Sequence, residues 1–371
     1  MGCIVAIAGH PSELLQAQTV SVELAKRNVD FVVASQVSVL DLPAVSPKVQ
    51  KLKTTATTPC GKVSRLVKRI EQLLDHFKPV AVVTFGLSDA AIAAALCCSR
   101  LGVPLVHVGA GLRSFDRTSM EERTRILLDH TATLLLCPSV TAAANLRREN
   151  IRTIPPDGQM VPEEFCTEGI SLSRGPIALN VGDVEVEALA FALGERRTRS
   201  SGDYALIALS TNFLNHGSLG DSRARQELLE AAVHDLSKLG IDLFAVYEQP
   251  SGLWSFDRTD TNTEKRNDPS SFVFYELTLR LIESAAVLIT DSTQMQRDAF
   301  LLRTPCVSLC NVTPLVETVA LGWNVLAGTD PTRIRMAVLR FLHSHPSRPA
   351  VNPYGDGRAT MRVVRLLTSC F

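Results

Sequence analysis

Short continuous apolar runs alternate along this chain with longer stretches in which apolar residues recur every three to four positions. The first run, residues 3–8, ends in the turn Gly9-His10-Pro11, and the segment from about Glu13 to Arg27 has the spacing of an amphipathic helix. A second run covers residues 31–35, after which Val63, Leu66, Val67, Ile70, Leu73, Leu74 and Phe77 recur at helical spacing. Pro79 opens another apolar strand over 80–85. Ser88 or Asp89 then reads as the cap of a helix ending near Gly102, and residues 104–108 form the next strand. Strands that are apolar on both faces, in β-α-β-α order, predict a parallel sheet covered on both sides. Such sheets bind ligands at the carboxyl ends of their strands, which singles out the loops 8–13, 85–89 and 108–125.

The turn cluster at 155–158 and the polar, Arg- and Ser-rich stretch at 196–203 interrupt this series. A second series follows. It predicts strands at 204–209, 243–247, 286–290 and 306–309, helices near 225–238, 277–284 and 295–302, and a final pair of helices after Pro331. The expected division is a first α/β domain over 1–170 and a second over 171–350, followed by 351–371; the boundary lies between about 165 and 203. No internal repeat or low-complexity tract is present.

The 371 residues suit two domains, and 46% apolar content is enough for two cores. A formal net charge of zero gives no electrostatic reason to expect nucleic acid or an anionic membrane as partner. No apolar run reaches the roughly 18 residues a membrane helix needs. The longest, 80–96, is interrupted by Gly86, Ser88 and Asp89. The start of the chain shows no signal-peptide pattern, and Ala6 stands where a myristoylation motif needs Ser or Thr. Nine cysteines without a CxxC read as buried free thiols in a reducing compartment, so a cytoplasmic location is expected. No GxSxG, HExxH, P-loop or zinc-ligand spacing occurs, and no cofactor or metal is expected.

From residue 104 the text becomes specific. Residues 104–118 read PLVHVGAGLRSFDRT, followed by Glu121-Glu122 and by RILLDH at 125–130. Later come LITDS at 288–292 with Gln296, NVLAGTD at 324–330 and NPYGDGRA at 352–359. In order and spacing these resemble the non-hydrolysing UDP-N-acetylglucosamine 2-epimerases along almost the whole chain. The resemblance implies an α/β GT-B-type architecture, with two Rossmann-like domains facing across a cleft and the last helix returning to the first domain. It also implies a nucleotide-sugar or other small polar ligand and a homodimer, or a heterodimer with an epimerase-like subunit. The reaction it implies eliminates UDP and inverts C2, which needs groups to remove and return a carbon-bound proton and positive charge to hold the departing diphosphate.

Several positions depart from the family pattern. The acid of the family's HGDT loop is Leu87 here, and the Glu of HVEAG is Gly109. The PEE acids survive as Glu121 and Glu122, and Asp89 lies near the first gap, where it reads either as a substitute acid or as a helix cap. These three are the candidate catalytic residues. On the ligand side His10 stands for the Arg of GTRPE, and Ser292-Thr293-Gln294 for an SGG turn whose glycines let backbone N–H groups approach a phosphate. A family Arg is Cys310, and of an ERPE stretch only Glu317 remains. Asp298 replaces a Glu that holds the ribose hydroxyls; it reads either as a shorter version of that ligand or as a solvated helix residue. Arg297 reads either as compensating charge or as a solvated residue. Arg113, Ser292 and Gln296 keep family identities, so the candidate ligand contacts are His10, Arg113, Ser292, Gln296, Asp298 and Glu317. The family's LHRxEN and HPNP stretches align with 209–214 and 247–250 without their His, Arg or Glu. Three readings follow: a non-catalytic homologue or partner subunit, an enzyme with altered chemistry on a nucleotide sugar or related glycoside using Glu121, or an ordinary epimerase with a rearranged site.

Overall fold

The computed structural model describes the chain except residues 1, 38–47, 53–55, 57, 168–169, 173–174, 195–203, 211–221, 239, 249–253, 259–270 and 348. It divides into two compact units. Unit 1 comprises residues 1–113, 119–192 and 351–371, and unit 2 comprises 114–118 and 193–350.

Unit 1 is built on eight strands: β1 Ile4–Ala8, β2 Phe31–Ser35, β3 Lys48–Lys51, β4 Ala81–Thr84, β5 Leu105–Val108, β6 Leu134–Cys137, β7 Arg152–Ile154 and β8 Ile177–Asn180. Their order is β3-β2-β1-β4-β5-β6-β8-β7, and all neighbours pair in parallel. Every residue of β1, β2, β4, β5, β6 and β8 is buried, as a sheet covered on both faces requires. Helices α1 Pro11–Ala25, α2 Pro59–Phe77, α3 Asp89–Leu101, α4 Met120–Thr131, α5 Val140–Arg148 and α6 Glu185–Leu193 join the strands. In α2 the fully buried positions are Leu66, Ile70 and Leu74, one stripe at four-residue spacing. β1 pairs with β4, Ile7 opposite Thr84, while β2 and β3 lie on the other side of β1. The strand order therefore reverses beside β1, and the loops after β1 and β4 meet at that switch point.

Unit 2 carries β9 Tyr204–Leu209, β10 Asp242–Glu248, β11 Trp254–Arg258, β12 Val287–Thr290, β13 Cys306–Ser308 and β14 Asn324–Leu326, in the order β11-β10-β9-β12-β13-β14. Only β11, an edge strand, runs antiparallel to its neighbour. The helices are α7 Ser222–Lys238, α8 Ser271–Ser284, α9 Thr293–Leu302, α10 Val316–Ala320 and α11 Pro331–His343. A last helix, α12 Ala359–Cys370, returns to unit 1, where Val363, Val364, Leu366 and Leu367 join the core formed by Ile4, Leu14 and Val83.

Candidate functional site

At the switch point of unit 1, one buried carboxylate ties two loops together. Glu13, in the first turn of α1, accepts the Gly9 N–H at 2.7 Å, the Ser88 N–H at 3.1 Å and the Ser88 hydroxyl at 2.8 Å. Burial pushes its carboxyl above the usual range, against these bonds and one from the His10 backbone. The contact accounts for two glycines, since a Cβ at Gly86 would lie 2.4 Å from Glu13 Oε1 and one at Gly9 would lie 2.4 Å from Ser88 Oγ. His10 caps α1 through Nδ1, which accepts the Ser12 N–H at 3.2 Å. Burial lowers its imidazole to about 4, so it is neutral at pH 7 and supplies no cation where the family pattern has an Arg.

Of the two residues read as caps of α3, the structure selects Ser88, whose Oγ accepts the Ala91 N–H at 3.3 Å. Asp89 is thereby corrected from a cap to the first helical residue, because a cap must lie one position outside the helix to reach back to its first N–H groups. Asp89 is half-buried, and burial raises its carboxyl above the usual range.

Beyond β5 the turn is held by a buried charged network. Asp129 accepts from His107 Nδ1 at 2.7 Å, the Gly111 N–H at 3.0 Å and Arg113 at 2.6 Å. Arg113 also pairs with both oxygens of Glu149, at 2.7 and 2.8 Å, and donates to the Leu112 carbonyl. Burial acts to raise the Asp129 carboxyl, but His107 and Arg113 outweigh it and hold it below the usual range. Arg113 thus faces protein acceptors and fixes the turn. Gly109 adopts φ +86° there, and a Cβ would meet only the Phe85 carbonyl oxygen, at 4.0 Å. On α4 Arg125 gathers the two candidate acids, Glu121 at 2.9 Å and the buried Glu122 at 3.4 Å.

In unit 2 the carboxyl ends of β9 and β12 are joined by Asp291, which accepts the Ser210 N–H at 2.8 Å and the Ser210 hydroxyl. Ser292 caps α9, accepting the Met295 N–H at 3.4 Å. The reading of Asp298 and Arg297 as solvated helix residues is corrected: both are buried, on a face of α9 turned inward. Asp298 accepts from the Tyr275 hydroxyl at 3.0 Å and the Gln294 amide at 2.8 Å. Gln294, which stands at a glycine position of the family's SGG turn, thus reaches one turn forward along its own helix. Gln296 is buried, and its amide oxygen accepts from Thr313 at 2.7 Å and Asn324 at 3.1 Å. Glu317 is half-buried at the start of α10, and the Cys310 thiol donates to the Asp291 carbonyl at 3.4 Å. Residues 211–214 and 249–250 of the stretches aligned with LHRxEN and HPNP lie outside the described residues.

The structure therefore brings His10 beside the loop leading to Asp89, and Glu121 beside Glu122. Sequence reasoning missed Glu13, Arg125, Tyr275 and Asp291 as organisers of these loops. Two of these had local signals, Glu13 at a helix start beside a strand-end loop and Arg125 one turn from Glu121 and Glu122; Tyr275 and Asp291 act through partners distant in sequence. Among the described residues no group of three or more His, Cys, Asp or Glu is arranged to hold a metal, and no helix is long and apolar enough to cross a membrane.

The chain matches the family model described as UDP-N-acetylglucosamine 2-epimerase over residues 25–202 and 221–368. It is 29% identical over 323 residues to a UDP-N-acetylglucosamine 2-epimerase homolog of Methanococcus maripaludis, covering 82% of this chain and 80% of that protein. It is 28% identical over 306 residues to the UDP-2,3-diacetamido-2,3-dideoxy-D-glucuronate 2-epimerase of Pseudomonas aeruginosa, covering 82% and 78%. The crystal structure of Methanocaldococcus jannaschii UDP-GlcNAc 2-epimerase in complex with UDP-GlcNAc and UDP matches with a TM-score of 0.78 at 25% identity, over 99% of both chains. The two parallel-sheet units are accordingly of the α/β GT-B type.

Proposed function

The chain belongs to the UDP-N-acetylglucosamine 2-epimerase family, and on that premise we propose that it keeps the family scaffold as a non-catalytic homologue or partner subunit that lacks ordinary C2-epimerase activity. The observation that carries this reading is the pair of neighbouring strand ends after β4 and β5, where Leu87 and Gly109 stand at the two positions at which the family pattern has acids. A positioned acid or base is worth about 10²–10⁴-fold in rate, so two such gaps leave little of the reaction. The charge balance points the same way. A buried diphosphate needs compensating cations, at several kcal/mol per ion, and His10 is neutral. Such a protein would act in the cytoplasm as a homodimer or as the partner of an epimerase-like subunit. The test is incubation of the purified chain with UDP-N-acetylglucosamine, followed by NMR. The expected spectrum shows neither the manno epimer nor free UDP, and clear turnover overturns the proposal.

A second reading is an enzyme with altered chemistry on a nucleotide sugar or related glycoside. One observation favours it: Asp89 does not serve as the helix cap, and its raised carboxyl lies beside the end of β4. An acid whose carboxyl is shifted upward by burial at that place suits general acid–base work. If activity is found on any nucleotide sugar, Asp89→Asn and Glu121→Gln should each abolish it. Activity on UDP-N-acetylglucosamine that survives both changes would instead identify an ordinary epimerase with a rearranged site.

A further inference from the structure

Two cysteines of unit 1 meet from opposite sides of unit 2 in the chain. Cys166 sits in a short 3₁₀ turn, Glu164–Thr167, before the chain enters unit 2, and Cys370 is the last residue of α12, after the chain returns. Cys166 is fully buried in one core with Val363, Leu366 and Leu367 of α12, and the half-buried Cys370 packs against that core. One hydroxyl joins the two residues. Ser369 Oγ donates to the Cys166 carbonyl at 2.9 Å and lies 3.9 Å from Cys370 Sγ. Charge holds the same contact together: Glu163, next to the turn, pairs with Arg358 at the N-cap of α12, at 3.3 Å, and with Arg365 within it, at 3.0 Å.

The two thiols are unequal. Cys166 Sγ donates to the Pro162 carbonyl at 3.7 Å, inside the core. Burial pushes its thiol up to about 11, against the pull of Arg362 and Arg365, and charge on Cys370 pushes it the same way as burial. Cys166 is therefore a neutral, protected thiol within electrostatic reach of the other sulfur. Cys370 is open to solvent on one side, and helical hydrogen bonding ends at it, so this last turn is free to adjust to the Cα separation of about 4.4–6.8 Å that a disulfide needs. Cys97 and Cys98 lack this arrangement, because consecutive side chains of a helix diverge.

We propose that Cys166 and Cys370 form a reversible redox clasp, closed by a peroxide and opened by a dithiol. The Cys370 thiolate attacks one oxygen of hydrogen peroxide and hydroxide leaves, which gives the sulfenic acid. The Cys166 sulfur then attacks the Cys370 sulfur, and the sulfenic oxygen departs with the Cys166 proton as water. Two thiols and one hydrogen peroxide become one disulfide and two waters, and a dithiol supplies the two electrons that reopen the bond. In a reducing compartment the pair rests as thiols. Closure ties the returning helix covalently to the segment that precedes unit 2.

The test treats the full native chain with hydrogen peroxide, quenches it with N-ethylmaleimide and digests it with trypsin in the absence of reductant. Cys166 then falls in the peptide 153–174 and Cys370 in 366–371, each with no second cysteine. The expected product is these two peptides joined, lighter than their sum by the two hydrogens lost, and absent when dithiothreitol precedes the digest. Hydrogen exchange of the 367–370 amides should slow in the oxidised chain, because the bond holds the last turn of α12 in place. Cys166→Ser and Cys370→Ser should each remove both changes. The wild-type digest alone decides the matter if a variant folds poorly. Recovery of both peptides alkylated, Cys370 carried on to the sulfinic acid without a link, or Cys166 joined to a different cysteine overturns the clasp.

Discussion

Two adjoining strand ends of unit 1 differ sharply. The turn after β5 is packed with charge: Asp129, Arg113, His107 and Glu149 form one hydrogen-bonded network. The loop after β4 and Gly109 itself carry no ionisable side chain where the family pattern has acids. On the proposed reading, charge is kept where it holds backbone and is missing where a ligand would be met. A scaffold and a reaction site impose separate demands, even across one pair of parallel strands.

The largest effect should come from breaking the charged side of this comparison. Asp129→Ala leaves Arg113 buried with one anionic partner removed, and urea unfolding should show a loss of about 3–5 kcal/mol. The wild-type network also has a pH signature. The folded Asp129 carboxyl lies below its ordinary value. Its stabilisation is therefore complete above the usual Asp range and is lost as pH falls from about 4 toward the folded value. Acid titration of the unfolding midpoint checks this, and Asp129→Ala should lose that part of the curve.

Glu13→Ala should come next. It strands the Gly9 and Ser88 N–H donors, at about 1–3 kcal/mol for each buried group left unsatisfied. The two loops should also loosen together, seen as coupled loss of hydrogen-exchange protection at 9–12 and 86–91.

A smaller effect is expected at Gly109. Its Cβ position is open, so Gly109→Ala meets no clash, yet φ +86° should still cost about 1–2 kcal/mol by thermal or urea unfolding. The contrast with Gly86→Ala is informative, because that change drives a Cβ into Glu13.

The smallest response is expected from the ligand that the charge-poor side should not hold. Saturating a site at 100-fold over Kd would add about 2.7 kcal/mol of stability. A thermal-shift titration with UDP is expected to show no shift. A clear one would mean that compensating charge comes from groups other than His10.

Much of the architecture could be read along the chain. The apolar runs near β1, β2, β4 and β5, and again near β9, β10, β12 and β13, are continuous because both sheet faces are covered. β7 and β14 are three-residue strands that are only partly buried, so they lack the continuous apolar run that marks the equally short β13, and β11 is an edge strand that tertiary pairing recruits. The site was legible as identities: Leu87, Gly109 and His10 can be read directly as replacements. Their surroundings were not. Asp298 could be read either as a ribose ligand or as a solvated helix residue, and only the fold shows it in the interior, bonded by Tyr275 from 23 positions away.

By itself the sequence determined the alternation of strands and helices, the family, and which chemical groups stand at the strand ends, because each depends on local pattern or on identity at one position. Only the tertiary structure decided which acids are buried and which are paired. Glu13 reaches Ser88 across 75 positions and Glu187 reaches Thr360 across 173. The charge state of such a carboxyl is set by desolvation and by partners that only the folded chain brings within hydrogen-bond range.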